Sequence, residues 1–257
     1  MERPDEIAWE IVRQHRDGET FHNLGGGLAP RDLDEAYAAQ DAFHAIHASG
    51  ERGRLGGRKI ALASKVQQDL CGVDHPIAGG LFESEILTSP AKLDVADYHG
   101  LGIEFELAVE IGREISRPGS DRETIRSQIA SIHPAFEMIV DRGANYAALD
   151  ARTMIVDNAW GAGIVLGPAI PDWHNLDIDS LPCRLEWTGE EPAEAVCGSA
   201  DPLGSLAWVA NLITEQGGTI PAGHVVITGS VIKTRYPKGG EDIRYEIAGQ
   251  AVELTIL

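Results

Sequence analysis

The stretch from Gly102 to Ile111 constrains the fold of this chain most, because apolar and acidic residues alternate in it with a period of two. Successive side chains of a β-strand point to opposite faces of the sheet. The odd-numbered residues from Ile103 onward are therefore predicted to face a core, with Glu104 and Glu106 side by side on the other face. Two carboxylates this close repel each other unless water, a cation or a proton intervenes. The pair is thus either an ordinary solvated face or half of a site for a hard metal ion.

The other elements are predicted to be a helical segment followed by β-like runs. A short amphipathic helix is expected over 7–15, and a second helix from Pro30 to Ser49. Further helices are expected at about 120–131 and from Asp201 to Gly217. The β-like runs are 59–63, 103–111, 135–140, 163–166, 183–187, 225–228, 243–247 and 251–256.

These elements indicate the fold class. Because the strands outnumber the helices and do not alternate with them, a parallel βαβ architecture is disfavoured. We predict an α+β protein in which an N-terminal helical segment (1–55) precedes a β-rich catalytic domain (56–257). His44 and His47 fall on the second helix, which this interpretation places at the periphery.

Charge and cysteine usage limit the classes of partner. A formal charge of −19 disfavours nucleic-acid binding, because phosphates would be repelled and no basic stripe offsets the field. We find no apolar run of membrane-spanning length, and the charged N-terminus lacks the apolar core of a signal peptide. Cys71, Cys183 and Cys197 are scattered, which argues against a disulfide framework or a zinc site. A cytoplasmic protein that binds neither nucleic acid nor membrane is therefore expected.

A third carboxylate strengthens the metal interpretation. Glu137 is the only charge inside an otherwise apolar run, and a buried lone charge needs a partner. Three carboxylates suit Mg²⁺ or Mn²⁺, which prefer oxygen ligands. The spacing alone leaves other interpretations open, since Glu104 and Glu106 could form a wet strand face and Glu137 could pair with Arg142.

Basic and hydroxyl side chains supply further candidates. Lys59 enters an apolar strand after two glycines, and desolvation would make it usable as an acid, a base or an anion anchor. Its ammonium could equally extend to water. Arg142 could clamp a carboxylate or pair with Asp141. Asp157 and Thr228 are candidates for polar contacts, although such residues are common in turns.

In order along the chain, these segments resemble the 2-keto-4-pentenoate hydratase / 4-oxalocrotonate decarboxylase family of the fumarylacetoacetate hydrolase-like superfamily. The likeness runs from about Asp34 to the end of the chain. Segment 57–76 resembles the family pattern GxKxGLTS…GVxxP, and 103–106 resembles its IExE metal motif. The other matching segments are 134–137 with Arg142 (PxxE…SR), 156–159 (ADNAS), 202–212, 221–223 and 227–229.

The resemblance implies a mixed-sheet fumarylacetoacetate hydrolase-like fold, a small 2-oxo acid substrate and a homo-oligomer. It implies Mg²⁺ or Mn²⁺ bound by Glu104, Glu106 and Glu137. It also implies that Lys59 is catalytic, as a proton shuttle or as the anchor of the substrate carboxylate. The substrate-binding candidates are Ser64, Arg142, Asp157 and Thr228.

Three functional hypotheses follow from the resemblance and from the departures. The leading one is hydration of a 2-hydroxy-2,4-dienoate or 2-oxo-4-enoate, as in meta-cleavage degradation of aromatic compounds. The second is decarboxylation of a 4-oxalocrotonate-type 2-oxo acid, because Ile77 replaces the acidic residue typical of the hydratases. The third is a non-catalytic metal- or ligand-binding or structural relative. Trp160 stands where the family prefers a small Ser or Cys, and is expected to narrow the pocket.

Overall fold

The computed structural model describes residues 2–257, which form two β-sheets with helices around them. The α-helices are α1 (Arg3–Arg16), α2 (Leu33–Ala48), α3 (Lys65–Cys71), α4 (Arg122–Arg126), α5 (Ala151–Val156) and α6 (Pro202–Glu215). The strands are β1 (Leu55–Ala61), β2 (Ile77–Phe82), β3 (Ile86–Thr88), β4 (Ala91–Leu93), β5 (Leu101–Ile111), β6 (Ile129–Val140), β7 (Gly161–Leu166), β8 (Pro182–Trp187), β9 (Ala193–Val196), β10 (Val225–Arg235), β11 (Asp242–Ile247) and β12 (Gln250–Ile256).

The larger sheet has seven strands in the order β2-β1-β10-β5-β6-β7-β3, and it is mixed. Its β1–β10 and β3–β7 pairs are parallel and the others are antiparallel. The sheet curls until β2 contacts β7. The five-stranded sheet, in the order β4-β12-β11-β8-β9, packs against β6. The α+β, mixed-sheet fold class is therefore confirmed.

Strand β5 has the two faces that its sequence predicts. Glu104 lies opposite Glu137 in the β5–β6 register, and Phe105 lies opposite Phe136. The two phenylalanines face the second sheet, where the ring centroids of Phe105 and Tyr245 are 5.8 Å apart. The glutamates occupy the inner face of the curl, above a small apolar cluster. That cluster consists of Leu81, Ala108, Ala135, Ile164, Val225 and Ile227.

The N-terminal helices are part of the main core. Helix α1 packs against α2, and α2 packs against α5 and β2. Ile7, Ile11 and Phe43 are fully buried in the same apolar cluster as residues of the sheets. The expectation that α2 is peripheral is therefore wrong, since His44 on this helix is only 5% exposed. The domain boundary between residues 55 and 56 stays a prediction.

The structure also corrects the predicted elements. Helix α4 ends at Arg126 instead of residue 131, because Ile129 already pairs with Ile111 as β6 adds to the sheet. Here the hydrogen bonds between strands outweigh the local helical pattern. The glycine-containing strand β2 and the short helices α3 and α5 were not predicted, because they are too short or too glycine-rich to show a clear periodicity.

Two further observations concern membranes and thiols. None of the helices within residues 2–257 combines the length and the apolar character needed to cross a membrane. The three cysteines are free and buried. Although they are distant in sequence, Cys183 and Cys197 have their sulfur atoms 3.5 Å apart.

Candidate active site

A cavity of about 670 Å³ lies beside the inner face of the curled sheet. This volume is in the range of small-molecule sites. Lys59 from β1 and Glu104 from β5 line it, together with residues of β10, α3, α6 and the segment 146–160. The cavity thus joins three of the sequence-predicted site residues, Lys59, Ser64 and Glu104, to parts of the chain that are remote in sequence.

Glu104, Glu106 and Glu137 form a cluster at this position. One oxygen from each carboxylate can be chosen so that all three lie within 4.8 Å of one another. Glu106 and Glu137 are fully buried. The backbone N–H of Gly229 donates to Glu106 Oε2 at 2.7 Å, and the hydroxyl of Thr234 donates to Glu104.

The buried carboxylates of this cluster have fewer hydrogen-bond and cationic partners than buried charges require. Glu106 Oε1 and Glu137 Oε2 are buried without a hydrogen bond in the part of the chain that is described. Burial raises the pKa of Glu106 well above its usual range, and the charges of Glu137 and Glu104 raise it further. Burial also raises the pKa of Glu137, to about 7, although Lys59 opposes the shift. A divalent cation would supply the partner that these oxygens lack, so the residues fit a Mg²⁺ or Mn²⁺ ion.

Lys59 completes the cluster. It is 1% exposed, so its ammonium does not extend to bulk water. Nζ donates to the carbonyl of Ala159 at 2.8 Å and forms an ion pair with Glu137. Gly79 lies opposite Lys59 in β2, and a Cβ added there would come within 2.9 Å of Lys59 Cγ. Glycine at this position therefore makes room for the lysine side chain.

An unusual turn holds the carbonyl that Lys59 contacts. Asn158, Ala159 and Trp160 have φ angles of 51°, 48° and 60°, in the left-handed region that non-glycine residues seldom adopt. Asn158 Oδ1 accepts from the N–H of Gly80 at 2.7 Å and lies 2.8 Å from His44 Nε2. Asn158 Nδ2 donates to the Gly80 carbonyl at 2.9 Å. The Asn158 side chain thus clamps the turn to β2.

Sequence analysis missed this role of His44 and Asn158. No local pattern indicates a bond between residues so far apart in sequence. The one signal in the sequence is the residue type, since asparagine enters the left-handed region more readily than most residues.

His44 predicts a specific acid sensitivity. Burial lowers its pKa to about 3, whereas an unfolded histidine titrates near 6.5. As the pH falls below about 6.5, His44 binds a proton in the unfolded state but not in the folded state. The free energy of unfolding therefore falls, by at most about 1.4 kcal/mol per pH unit. We expect urea unfolding at pH 7.5 and 5.5 to show a larger loss for wild type than for His44→Gln, which keeps an N–H donor but cannot titrate. Equal losses would contradict this assignment.

The remaining predicted site residues lie in different places. Ser64 lines the cavity, where its hydroxyl also accepts from Gln67 N at 3.3 Å and caps α3. Thr228 is fully buried, and its hydroxyl donates to the Leu107 carbonyl at 2.8 Å. Thr228 is not part of the cavity lining.

Arg142 and Asp157 pair with each other instead of lining the cavity. Both are almost fully buried. The carboxylate of Asp157 also contacts His15 on α1, and an N–H of Arg142 donates to the Glu19 carbonyl at 3.3 Å. This network links the end of α1 to the β-rich region. A direct substrate contact by Arg142 or Asp157 stays a prediction.

Ile77 has a position that bears on the reaction. In the β1–β2 register, Lys59 lies opposite Gly79 and Ala61 opposite Ile77, so Ile77 shares a face of the sheet with Lys59. Its side chain is fully buried. An apolar group therefore stands on the face where the family's hydratases are expected to carry a carboxylate.

Comparison with known proteins identifies the family. The model of the fumarylacetoacetate (FAA) hydrolase C-terminal family matches residues 77–255, a range that contains all three clustered glutamates. The chain belongs to this family. A 2-keto-4-pentenoate hydratase of Dechloromonas aromatica is 30% identical over 254 residues, covering 96% of this chain and 94% of the relative.

Other members of the family extend the comparison. A 4-oxalocrotonate decarboxylase of Pseudomonas putida is 28% identical over 247 residues, covering 95% of this chain and 92% of the relative. A solved 4-oxalocrotonate decarboxylase of P. putida G7, complexed with magnesium and adipate, superposes with a TM-score of 0.88 at 23% identity, covering 99% of this chain and 97% of that one. The predicted family is confirmed, as is an enzyme of the lyase type. Relatives named for both reactions leave hydration and decarboxylation unseparated.

Proposed function

We propose that this family member is a magnesium-dependent hydratase that acts on a 2-hydroxy-2,4-dienoate or its 2-oxo-4-enoate tautomer. The observation that carries the proposal is the cluster of three glutamates, two of them fully buried with unpartnered oxygens, beside the buried Lys59 at a cavity of suitable size. Curated relatives named as hydratases, which align over most of this chain, support it.

Glu104, Glu106 and Glu137 would hold the ion. When bound, Mg²⁺ or Mn²⁺ would supply the positive charge that favours negative charge developing on the 2-oxygen of the substrate. The protein prepares the ligands itself: the Gly229 N–H orients Glu106 and the Thr234 hydroxyl orients Glu104. This support keeps ligand oxygens in place before substrate arrives.

Lys59 would move the proton or hold the substrate carboxylate. The cationic side chains of the described cavity lining are Lys59 and Lys233, and of these only Lys59 is buried. The Ala159 carbonyl fixes the position of its Nζ, so a substrate over the glutamates would meet an ammonium of defined geometry. A positioned acid or base of this kind typically contributes about 10²- to 10⁴-fold in rate.

Ile77 favours a second candidate, decarboxylation. Its buried apolar side chain offers no group that could activate water on the face shared with Lys59. Loss of CO₂ from a vinylogous β-keto acid requires no such group, because no water is added.

The reaction can be tested directly with metal-stripped protein to which Mg²⁺ is returned. We expect 2-hydroxypenta-2,4-dienoate to be hydrated only when Mg²⁺ is present. NMR of the product measures the hydration. CO₂ release from 4-oxalocrotonate without water addition to the dienoate would replace the hydratase with the decarboxylase. Failure of both reactions would contradict the proposed hydratase and its decarboxylase alternative. The homo-oligomer implied by the resemblance and the cytoplasmic location expected from cysteine usage stay predictions.

A further inference from the structure

We propose that one wall of the cavity selects substrates with an uncharged, apolar tail, and that Trp160 sets the length of that tail. This wall, called the distal wall, consists of Leu70, Cys71, Tyr146, Leu149, Met154 and Trp160. The inference rests on the proposed function, because it adds a tail site to the same cavity. It narrows the substrate class to 2-oxo acids that end in an alkyl or similar group.

The distal wall is formed by α3 and the segment 146–160. Cys71, Met154 and Trp160 are buried, whereas Leu70 and Tyr146 are 57% and 46% exposed. Cys71 Sγ lies 3.7 Å from Met154 Sδ, which joins α3 to α5. The rings of Trp160 and Tyr146 meet edge to face with centroids 5.7 Å apart. Phe21 contacts Trp160 in the same manner at 5.1 Å. The indole is therefore held from two sides.

The distal wall carries no charged side chain. The Tyr146 hydroxyl is already engaged, because it donates to Asp141 Oδ2 at 2.9 Å and lies 2.9 Å from the Tyr236 hydroxyl. Elsewhere in the described lining, Lys59 is paired with Glu137 and Lys233 is exposed on β10. Trp160 Nε1 has no hydrogen-bond partner but is buried, so a carboxylate placed against this wall would lose part of its water without meeting a positive charge, which is unfavourable.

Trp160 cannot easily withdraw from the cavity. It is 7% exposed and occupies the left-handed turn whose first residue, Asn158, is clamped to Gly80. A backbone movement that withdrew the ring would break that clamp and move the Ala159 carbonyl away from Lys59. The indole thus acts as a fixed stop for the tail. A 4-oxalocrotonate-type substrate carries a second carboxylate, so this wall favours hydration over decarboxylation.

Two six-carbon acids that differ only at the tail test the charge preference. Calorimetric titration of the Mg²⁺-loaded wild type with 2-oxohexanoate and 2-oxohexanedioate needs no turnover. We expect 2-oxohexanoate to bind at least about tenfold more tightly, since a hydrophobic pocket commonly discriminates by this much or more. Equal or tighter binding of the dicarboxylate would overturn the uncharged-tail inference.

Variants of Trp160 test the size limit. Trp160→Ser should strengthen binding of 2-oxo-6-phenylhexanoate at least about tenfold, while pyruvate, which has no tail to reach the wall, changes little. Trp160→Phe keeps a ring and should behave nearly as wild type, which also checks that the site stays folded. Trp208→Ser makes the same change in a lining residue outside the distal wall and should leave the tail preference unchanged. Similar effects at both tryptophans would overturn the role of Trp160.

The same titrations separate the inference from the function it rests on. If wild type did not bind pyruvate in a magnesium-dependent manner, the proposed function would be contradicted, since pyruvate carries only the 2-oxo acid head. Normal pyruvate binding without any preference between the six-carbon acids would overturn the distal wall alone.

Discussion

Glu106→Gln is expected to abolish tight Mg²⁺ binding and to lower lyase turnover by about 10³-fold or more. The substitution replaces a fully buried carboxylate by a neutral amide of nearly the same shape. A metal ion that stabilises developing charge contributes several kcal/mol, and about 1.4 kcal/mol corresponds to tenfold in rate. Titration calorimetry with Mg²⁺, or electron paramagnetic resonance with Mn²⁺, measures the binding, and steady-state assays measure the turnover.

A second readout distinguishes loss of a ligand from loss of folding. Without metal, Glu106→Gln should be at least as stable as wild type in urea, because it removes one of the mutually repelling buried carboxylates. Glu110→Gln is the matched control on the same strand and face, where Glu110 accepts from the Ser131 hydroxyl at 3.0 Å outside the cluster. Glu110→Gln should keep metal affinity within about twofold, since surface changes of this kind have small effects. Normal metal binding by Glu106→Gln would refute the ligand assignment.

Lys59→Met is expected to lower kcat by about 10²- to 10⁴-fold, the range for a positioned acid or base. Methionine retains an unbranched side chain against Gly79 but has no charge and no N–H donor for the Ala159 carbonyl. The metal-free variant should also lose about 3 kcal/mol of unfolding free energy, because Glu137 remains buried without its cation. Steady-state kinetics and urea unfolding in a chelator measure the two effects separately.

Lys233→Met provides the matched comparison. Lys233 lines the same cavity but is exposed, so its loss should change stability by no more than about 0.5 kcal/mol. Turnover by Lys59→Met close to that of Lys233→Met would show that Lys59 neither moves the proton nor anchors the substrate. Added Mg²⁺ should restore part of the stability of Lys59→Met, because the ion offsets the charge of Glu137.

Much of the fold around the site could be predicted because the spacing of apolar and polar residues indicates the strands and helices. The alternation in β5 predicts which residues face the second sheet, and the structure places Phe105 and Glu106 on the expected faces. Helix α6 could be predicted because Asp201 caps it and Pro202 opens it. Residues 129–132 show no alternation of apolar and polar residues, and their place in a strand depends on pairing with β5.

For the candidate site, too, some of the predicted residues lie where they were expected and others do not. Glu104, Glu106 and Glu137 were named from residue type and family order, and the β5–β6 register brings them together. Arg142 and Asp157 were named on the same grounds, yet each satisfies the other's charge away from the cavity lining. A sequence motif identifies residues that occur together, but it does not determine the orientation of their side chains.

The sequence by itself determined the period-two faces of β5, the acidic pair with its third carboxylate, and the family, because these reside in residue type, spacing and order. The tertiary structure alone decided that Lys59 is buried against Glu137, that His44 and Asn158 hold a left-handed turn, and that Trp160 closes an apolar wall. Those features depend largely on contacts between residues far apart in sequence, such as the 78 positions between Gly80 and Asn158 and the 114 between His44 and Asn158. Backbone conformations such as that turn are adopted only where such contacts outweigh their local cost.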